Sequence, residues 1–290
     1  MTVYLSTSCY GRISVSNAIK QCQKIAGNFV EISAPHDYQS MDDLKEVLKG
    51  FRDKGVNFAL HNYFPAPKSP FVLNMAASDS ITYNKTEELI KNAFCLADYA
   101  ESPIYGIHAG YLAKAKAGED GYFIFSDEEE SYKTALENTI KFVNNILKYK
   151  PKNLTFIIEN LFPSPKKRHS LNCSYEEIKE LMNSLPNEVG ILLDLGHFNI
   201  SSNILGFNRH KALDKLVNNF FGRIKEIHIS ENNGFKDEHL AVKENSWQLE
   251  IIKDISSQDI NKNIIYCIEA RKATEKEILN SVNLVNSILN

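Results

Sequence analysis

The sequence predicts an α/β fold, a single (β/α)8 TIM barrel spanning residues 1–290. Short β-rich runs alternate with longer amphipathic stretches about eight times, a pattern that implies right-handed crossovers and a parallel sheet. A chain of 290 residues is a natural length for one such barrel. Six of the runs also stop at a carboxylate or imidazole, as expected where every strand delivers its carboxyl end to one functional rim.

The expected strands are 3–7, 28–33, 56–61, 104–108, 154–159, 190–195, 223–229 and 263–269. Between and after them lie expected helices near 15–26, 40–54, 84–100, 128–149, 174–185, 208–221, 246–255 and 274–288. Ser40-Met41-Asp42-Asp43 supplies an N-cap followed by acids in the first turn, and Gly55 is a C-terminal stop. Ser174-Tyr175-Glu176-Glu177 has capping-box spacing ahead of Ile178, Leu181 and Met182. Three inserts, 62–83, 109–127 and 229–245, are longer than a tight barrel needs and are expected on the rim. No domain boundary, internal repeat or low-complexity linker interrupts the pattern.

Composition narrows the class. Hydrophobic residues at 43% and charged residues at 24% are ordinary for a globular protein with a large core. A net charge of -3 supplies no global attraction to nucleic acid and argues against a dedicated DNA binder. The five cysteines (Cys9, Cys22, Cys95, Cys173 and Cys267) have no C-x-x-C spacing, which points to reduced thiols and a cytoplasmic protein. Cys267, inside an apolar run, reads as a small core residue. No run reaches the roughly 18 apolar residues of a membrane span, and the first residues do not form a signal peptide. Neither G-x-G-x-x-G nor G-x-x-x-x-G-K-[ST] occurs, so no nucleotide-loop motif is present.

The strand ends carry the chemistry. Asn57-Phe58-Ala59-Leu60 runs into His61, Ile104-Tyr105-Gly106-Ile107 into His108, and Thr155-Phe156-Ile157-Ile158 into Glu159. Ile191-Leu192-Leu193 ends at Asp194, Ile224-Lys225-Glu226-Ile227 at His228, and Ile264-Ile265-Tyr266-Cys267-Ile268 at Glu269. Glu159, Asp194, His228 and Glu269 form a mixed oxygen and nitrogen donor set suited to a divalent metal such as zinc or manganese. In Asp194-Leu195-Gly196-His197, Gly196 is expected to turn the backbone sharply and bring His197 beside Asp194. Asn232-Asn233-Gly234 predicts a tight turn, after which Asp237 and His239 project to one side. His36, His169 and His210 lie outside this set, although His36 follows the second strand.

The ordered string His61, His108, Glu159-Asn160, Asp194-x-Gly196-His197, His228, Asp237-x-His239, Glu269 resembles the xylose isomerase-like TIM-barrel superfamily. That superfamily holds sugar isomerases and epimerases together with the endonuclease IV family. The resemblance runs from Val30-Glu31-Ile32-Ser33 to Glu269, and Phe71-Val72-Leu73-Asn74-Met75-Ala76 is similar to a loop of the endonuclease family. In endonuclease IV, side chains matching the nine residues His61, His108, Glu159, Asp194, His197, His228, Asp237, His239 and Glu269 hold three zinc ions. In the epimerases, those matching Glu159, Asp194, His228 and Glu269 hold one divalent ion, and the two glutamates exchange the substrate proton. The resemblance therefore implies one to three ions and a catalytic role for Glu159 and Glu269. The chain departs from both patterns after His239, where Leu240-Ala241-Val242 replaces an expected glycine-rich turn. No basic, aromatic-bearing rim loop suited to penetrating DNA is evident.

Expected substrate contacts are Arg271, two residues past Glu269, and Lys166 and Arg168 in the basic cluster after Glu159, all able to hold an anionic group. Phe64 and Trp247 are expected as an apolar wall for a sugar face. The favoured function is a metal-dependent isomerase or epimerase of a sugar or sugar phosphate, working through a metal-stabilised enediolate with glutamate proton transfer. The alternative is a zinc phosphodiesterase of the endonuclease IV kind acting at abasic DNA. A barrel that only senses a sugar ranks third, because it has no need for so many charged groups. No sequence feature specifies the oligomeric state.

Overall fold

The apolar runs become strands, and the strands close. The computed structural model describes residues 3–118, 123–164, 168–260 and 263–290. Eight parallel strands form the barrel: β1 (Val3–Ser6), β2 (Phe29–Ile32), β3 (Asn57–His61), β4 (Ile104–His108), β7 (Thr155–Glu159), β8 (Gly190–Asp194), β9 (Ile224–Ile229) and β10 (Ile265–Ile268). Their order around the wall is β1-β10-β9-β8-β7-β4-β3-β2, with β2 returning to pair with β1. Each expected strand matches an observed one to within two residues at either end.

Helices α1 (Val15–Ala26), α2 (Met41–Arg52), α3 (Ser80–Ala100), α4 (Tyr132–Ile146), α5 (Tyr175–Ser184), α6 (Leu195–Leu205), α7 (Arg209–Phe220), α8 (Trp247–Gln258) and α9 (Glu275–Leu289) pack outside the strands. Every one begins under a side-chain cap from Ser, Thr, Asp or Asn, each contributing about 1 kcal/mol. The capping box expected at Ser174 is only half made. Ser174 accepts from the Glu177 N–H, but the Glu177 carboxylate accepts from the Cys173 N–H instead of closing back on Ser174. The full box occurs at Thr274 and Glu277.

Two elements depart from the sequence expectation. The 109–127 insert and the two residues after it carry an antiparallel strand pair, β5 (Ala113–Ala117) with β6 (Phe123–Glu129), so the helix expected from 128 begins only at Tyr132. Ala and Lys have weak strand propensity, which hid β5; an aromatic cluster of Tyr63, Tyr111, Phe123 and Phe125 anchors the hairpin on the rim. The second departure is α6, which starts at Leu195 directly behind its cap Asp194, where a sharp turn was expected. Gly196 is helical. Its missing side chain makes room for the loop after β9, since a Cβ there would stand 2.9 Å from Ser230 Oγ and 3.1 Å from the Ser230 carbonyl oxygen.

Because side chains alternate across a strand, the barrel interior is layered. Ala59, Ile104, Ile157 and Leu192 pack together with Tyr4 and Ile265 toward the amino ends of the strands. One step toward the carboxyl ends the interior becomes polar. Gly106 sits at this boundary, where a Cβ would meet Leu192 Cδ1 at 2.7 Å and His61 Nδ1 at 2.9 Å. Gly106→Ala is expected to destabilise the fold by roughly 1–3 kcal/mol through overpacking and to push the His61 ring from its seat. Chemical denaturation measures the first effect, and an unchanged midpoint would show that the interior has slack.

Candidate metal centre

Nine side chains from seven segments of the chain converge at the carboxyl mouth of the barrel. Glu159, at the end of β7, is the hub. Its Oε2 lies 3.4 Å from His61 Nε2 and 3.2 Å from His108 Nε2, and its Oε1 lies 3.1 Å from His197 Nδ1. Asp194 caps α6 by accepting from the His197 N–H at 2.6 Å through Oδ1, leaving Oδ2 turned toward His197 and His228 Nδ1 at 3.9 and 3.8 Å. His228 Nδ1 is also 3.5 Å from Glu269 Oε2. On the far side, Asp237 Oδ2 lies 2.8 Å from His239 Nε2 and 3.6 Å from His197 Nε2. These contacts define overlapping groups capable of holding cations: His61/His108/Glu159, Glu159/Asp194/His197, Asp194/His228/Glu269 and His197/Asp237/His239.

Several of the donor atoms face one another without a hydrogen bond. Buried Glu159 Oε2, Asp194 Oδ2, His228 Nδ1 and Asp237 Oδ1 have no hydrogen-bond partner, a costly arrangement unless something charged sits among them. Oxygen and imidazole donors in this mixture suit zinc, manganese or cobalt, so the residues fit a divalent ion.

Electrostatics agree with that fit. Burial disfavours the charged forms throughout, yet His108 and His61 hold the Glu159 carboxyl well below the usual range. Against the same burial, Arg271 and His239 do so for Glu269. Asp237 is lowered by His239 and His197 in spite of its burial. Burial raises Asp194, and Glu159 adds to the effect. Although burial opposes their charge, Asp194 and Asp237 hold His197 well above an ordinary histidine, and Glu31 does the same for His228. His61 goes the other way, pushed down to about 4 by burial.

Supporting contacts fix the set. Ser8 donates to Glu269 Oε1 at 3.0 Å, and Arg271 pairs with the same oxygen at 2.5 Å. Tyr111 hydroxyl meets His108 Nδ1 at 2.9 Å, tying the rim hairpin to the centre. The Asn160 carbonyl lies 3.0 Å from His197 Nδ1. The Asp237 loop forms as expected: Gly234 has φ of 80°, and the side chains of Asn232 and Asn233 accept from the N–H groups of Gly234, Phe235 and Lys236. Where a glycine-rich turn was expected afterwards, His239 itself takes φ of 48° and Leu240 pairs with Glu231 to close the loop.

The expected substrate contacts fare unevenly. Arg271, with its side chain 40% exposed, stands at the mouth. Arg168 instead pairs with Glu177 and lies over the Tyr132 ring, and Lys166 falls outside the described residues. Phe64 is fully buried in the main core and is not a wall of the mouth. Trp247 opens α8 with Arg209 over its ring at 4.3 Å and His210 at 6.0 Å, none of them among the nine. An aromatic that the sequence reading missed, Phe162, lies 4.9 Å from the His197 ring. His36 binds Thr7 Oγ1 at 3.0 Å, and His169 stacks on Phe125. Cys267 is a buried core residue as expected, and its Sγ lies near Glu31, Glu226 and His228. Glu31 and Glu226 were overlooked because a lone glutamate in a strand reads as its solvent face. The available signal was Glu226 two residues before His228, hence on the same face.

Fold and site together define a parallel (β/α)8 barrel with a buried carboxylate and imidazole centre at its carboxyl rim. Residues 19–287 match the family described as Xylose isomerase-like TIM barrel, and the chain belongs to that family. An uncharacterized protein of Methanocaldococcus jannaschii is 26% identical over 257 residues, covering 85% of this chain and 78% of that protein. The crystal structure of a D-tagatose 3-epimerase-like protein is similar with a TM-score of 0.75 at 21% identity, over 100% of this chain and 97% of that one. Endonuclease IV from Thermus thermophilus is similar with a TM-score of 0.63 at 14% identity, over 100% of this chain and 99% of that one. At these identities the structural likeness is one of fold. Among the described residues, no helix is long and apolar enough to cross a membrane.

Proposed function

We propose that the protein is a divalent-cation-dependent isomerase or epimerase of a sugar or sugar phosphate. The carrying observation is that Glu159, Asp194, His228 and Glu269 stand at the carboxyl ends of four consecutive strands of the barrel wall, β7-β8-β9-β10, with the two glutamates at the ends of the arc. Bound there, a divalent ion supplies Lewis acidity toward a carbonyl and its neighbouring hydroxyl. Glu159 and Glu269, both held ionised, are the groups that take and return the proton at the reacting carbon. Arg271 keeps Glu269 charged and presents the rest of its guanidinium to an anionic substituent of the substrate. Phe162 supplies the apolar wall first expected of Phe64.

The second reading, phosphodiester cleavage at abasic DNA, is favoured by one observation: the complete His197/Asp237/His239 group beside the other three. Against it, the rim hairpin and the residue after it carry Asp127, Glu128, Glu129 and Glu130 against Lys114 and Lys116, an excess of acidic side chains that does not favour a phosphate backbone. The test incubates manganese- and zinc-loaded protein with a panel of sugars and sugar phosphates in deuterated water, and in parallel with an oligonucleotide containing one abasic site. Deuterium incorporation at a carbon next to a carbonyl is the expected result. Cleavage of the oligonucleotide with no deuterium in any sugar would transfer the assignment to the second reading.

A further inference from the structure

Below the nine donors, the barrel interior holds two carboxylates that the proposed chemistry does not use. Glu31 on β2 and Glu226 on β9 are both completely buried. Glu31 Oε2 lies 2.7 Å from His228 Nε2, a contact across the barrel between residues 197 apart in sequence. The other ring nitrogen, Nδ1, is the one that faces Asp194 and Glu269. Glu31 pairs in register with Ala59, and Glu226 with Leu192 and Ile265, so two carboxylates are buried level with apolar residues of the barrel wall, a costly arrangement unless they are paired.

We propose that Glu31 is a positioning residue that decides which nitrogen of His228 is offered to the cation. By accepting from Nε2–H, Glu31 confines the imidazole to the tautomer whose Nδ1 carries the free lone pair, and its charge makes that lone pair more basic. The bond also sets the rotation of the ring, since His228 is fully buried and pinned by Glu31 from beneath. A cation lying between Glu31 and Glu226 themselves would have to compete for Nε2, which the 2.7 Å bond already commits. This inference rests on reading Asp194, His228 and Glu269 as cation ligands.

The test compares Glu31→Leu, Glu31→Gln and Glu31→Asp with the unaltered protein, titrating Zn2+ against a chromophoric chelator and recording the thermal midpoint of the metal-free forms. Glu31→Leu is expected to lose about 10–100-fold in Zn2+ affinity. Its metal-free midpoint should fall, because His228 is left buried without its partner, so the readout that separates positioning from mere stability is the rescue of affinity in the variants that follow. Glu31→Gln, whose amide oxygen still accepts from Nε2–H, should recover most of the affinity. Glu31→Asp keeps the charge but withdraws the acceptor by one methylene, and should lose affinity. If Glu31→Leu does not fold, Glu31→Asp decides. Affinity unchanged in every folded variant overturns the role of Glu31 while leaving the cation site intact. A parent protein that takes up no Zn2+ overturns the site reading itself.

Discussion

Glu159→Gln is expected to strip the centre of bound cation and to lower turnover by about 10³-fold or more, the largest effect of any single substitution here. The reason is position. One carboxylate touches His61 and His108 through one oxygen and His197 through the other, so it belongs to two candidate cation groups at once. Glutamine preserves the volume but removes the charge and replaces one oxygen with an N–H donor, which turns the wrong way toward a cation. It also removes one of the two groups assigned to proton transfer. The fold should survive, because Glu159 sits in a pocket of polar partners and its strand contacts on β4 and β8 are made by the backbone. Elemental analysis after dialysis against zinc or manganese, read beside the deuterium-exchange rate, checks both halves. Full metal content together with full turnover would reject the cation-centre assignment.

The sequence made the rim legible because strand-terminal residues obey a simple rule: the carboxyl ends of parallel barrel strands share one face. His61, His108, Glu159, Asp194 and His228 each close an apolar run, and each is found at or next to the last residue of its strand. His197 was placed in the right neighbourhood for the wrong reason. Asp194 as a helix cap, accepting from the His197 N–H, holds it there, and Gly196 is small because Ser230 crowds it. Depth was harder to read than position. Phe64 looked like a rim aromatic because it follows His61 closely, yet it is folded into the core. Glu31 and Glu226 were invisible for the opposite reason, since sequence periodicity marks charged residues as outward while a barrel interior also accepts them beside imidazoles.

Stability of the chelated protein is expected to fall as pH rises above neutrality, whereas that of the zinc-loaded protein should hold or rise. In the metal-free state, burial opposes charge on His197 and His228, but Asp194 and Asp237 for the first and Glu31 for the second raise their pKa well above the ordinary 6.5. A raised folded-state pKa contributes stability that is complete below the unfolded value and is lost as pH climbs through the folded one. Glu159, Glu269 and Asp237, lowered by their neighbours against burial, contribute stability present above about 4 and lost on further acidification. His61, held down to about 4 by burial, adds a loss of stability as pH falls from about 6.5 toward that value. The alkaline limb is therefore set by His197 and His228, and these are the groups whose protons a cation must displace. Zinc binding near pH 7 should release about two protons, and saturation at a hundredfold over Kd should add about 2.7 kcal/mol per site. Thermal midpoints from pH 6 to 9 with and without chelator measure the first effect, and titration calorimetry in buffers of different ionisation enthalpy counts the protons. Parallel pH curves with and without zinc would mean that the imidazoles of His197 and His228 do not bind it, and the centre would then have to be rebuilt around its carboxylates alone.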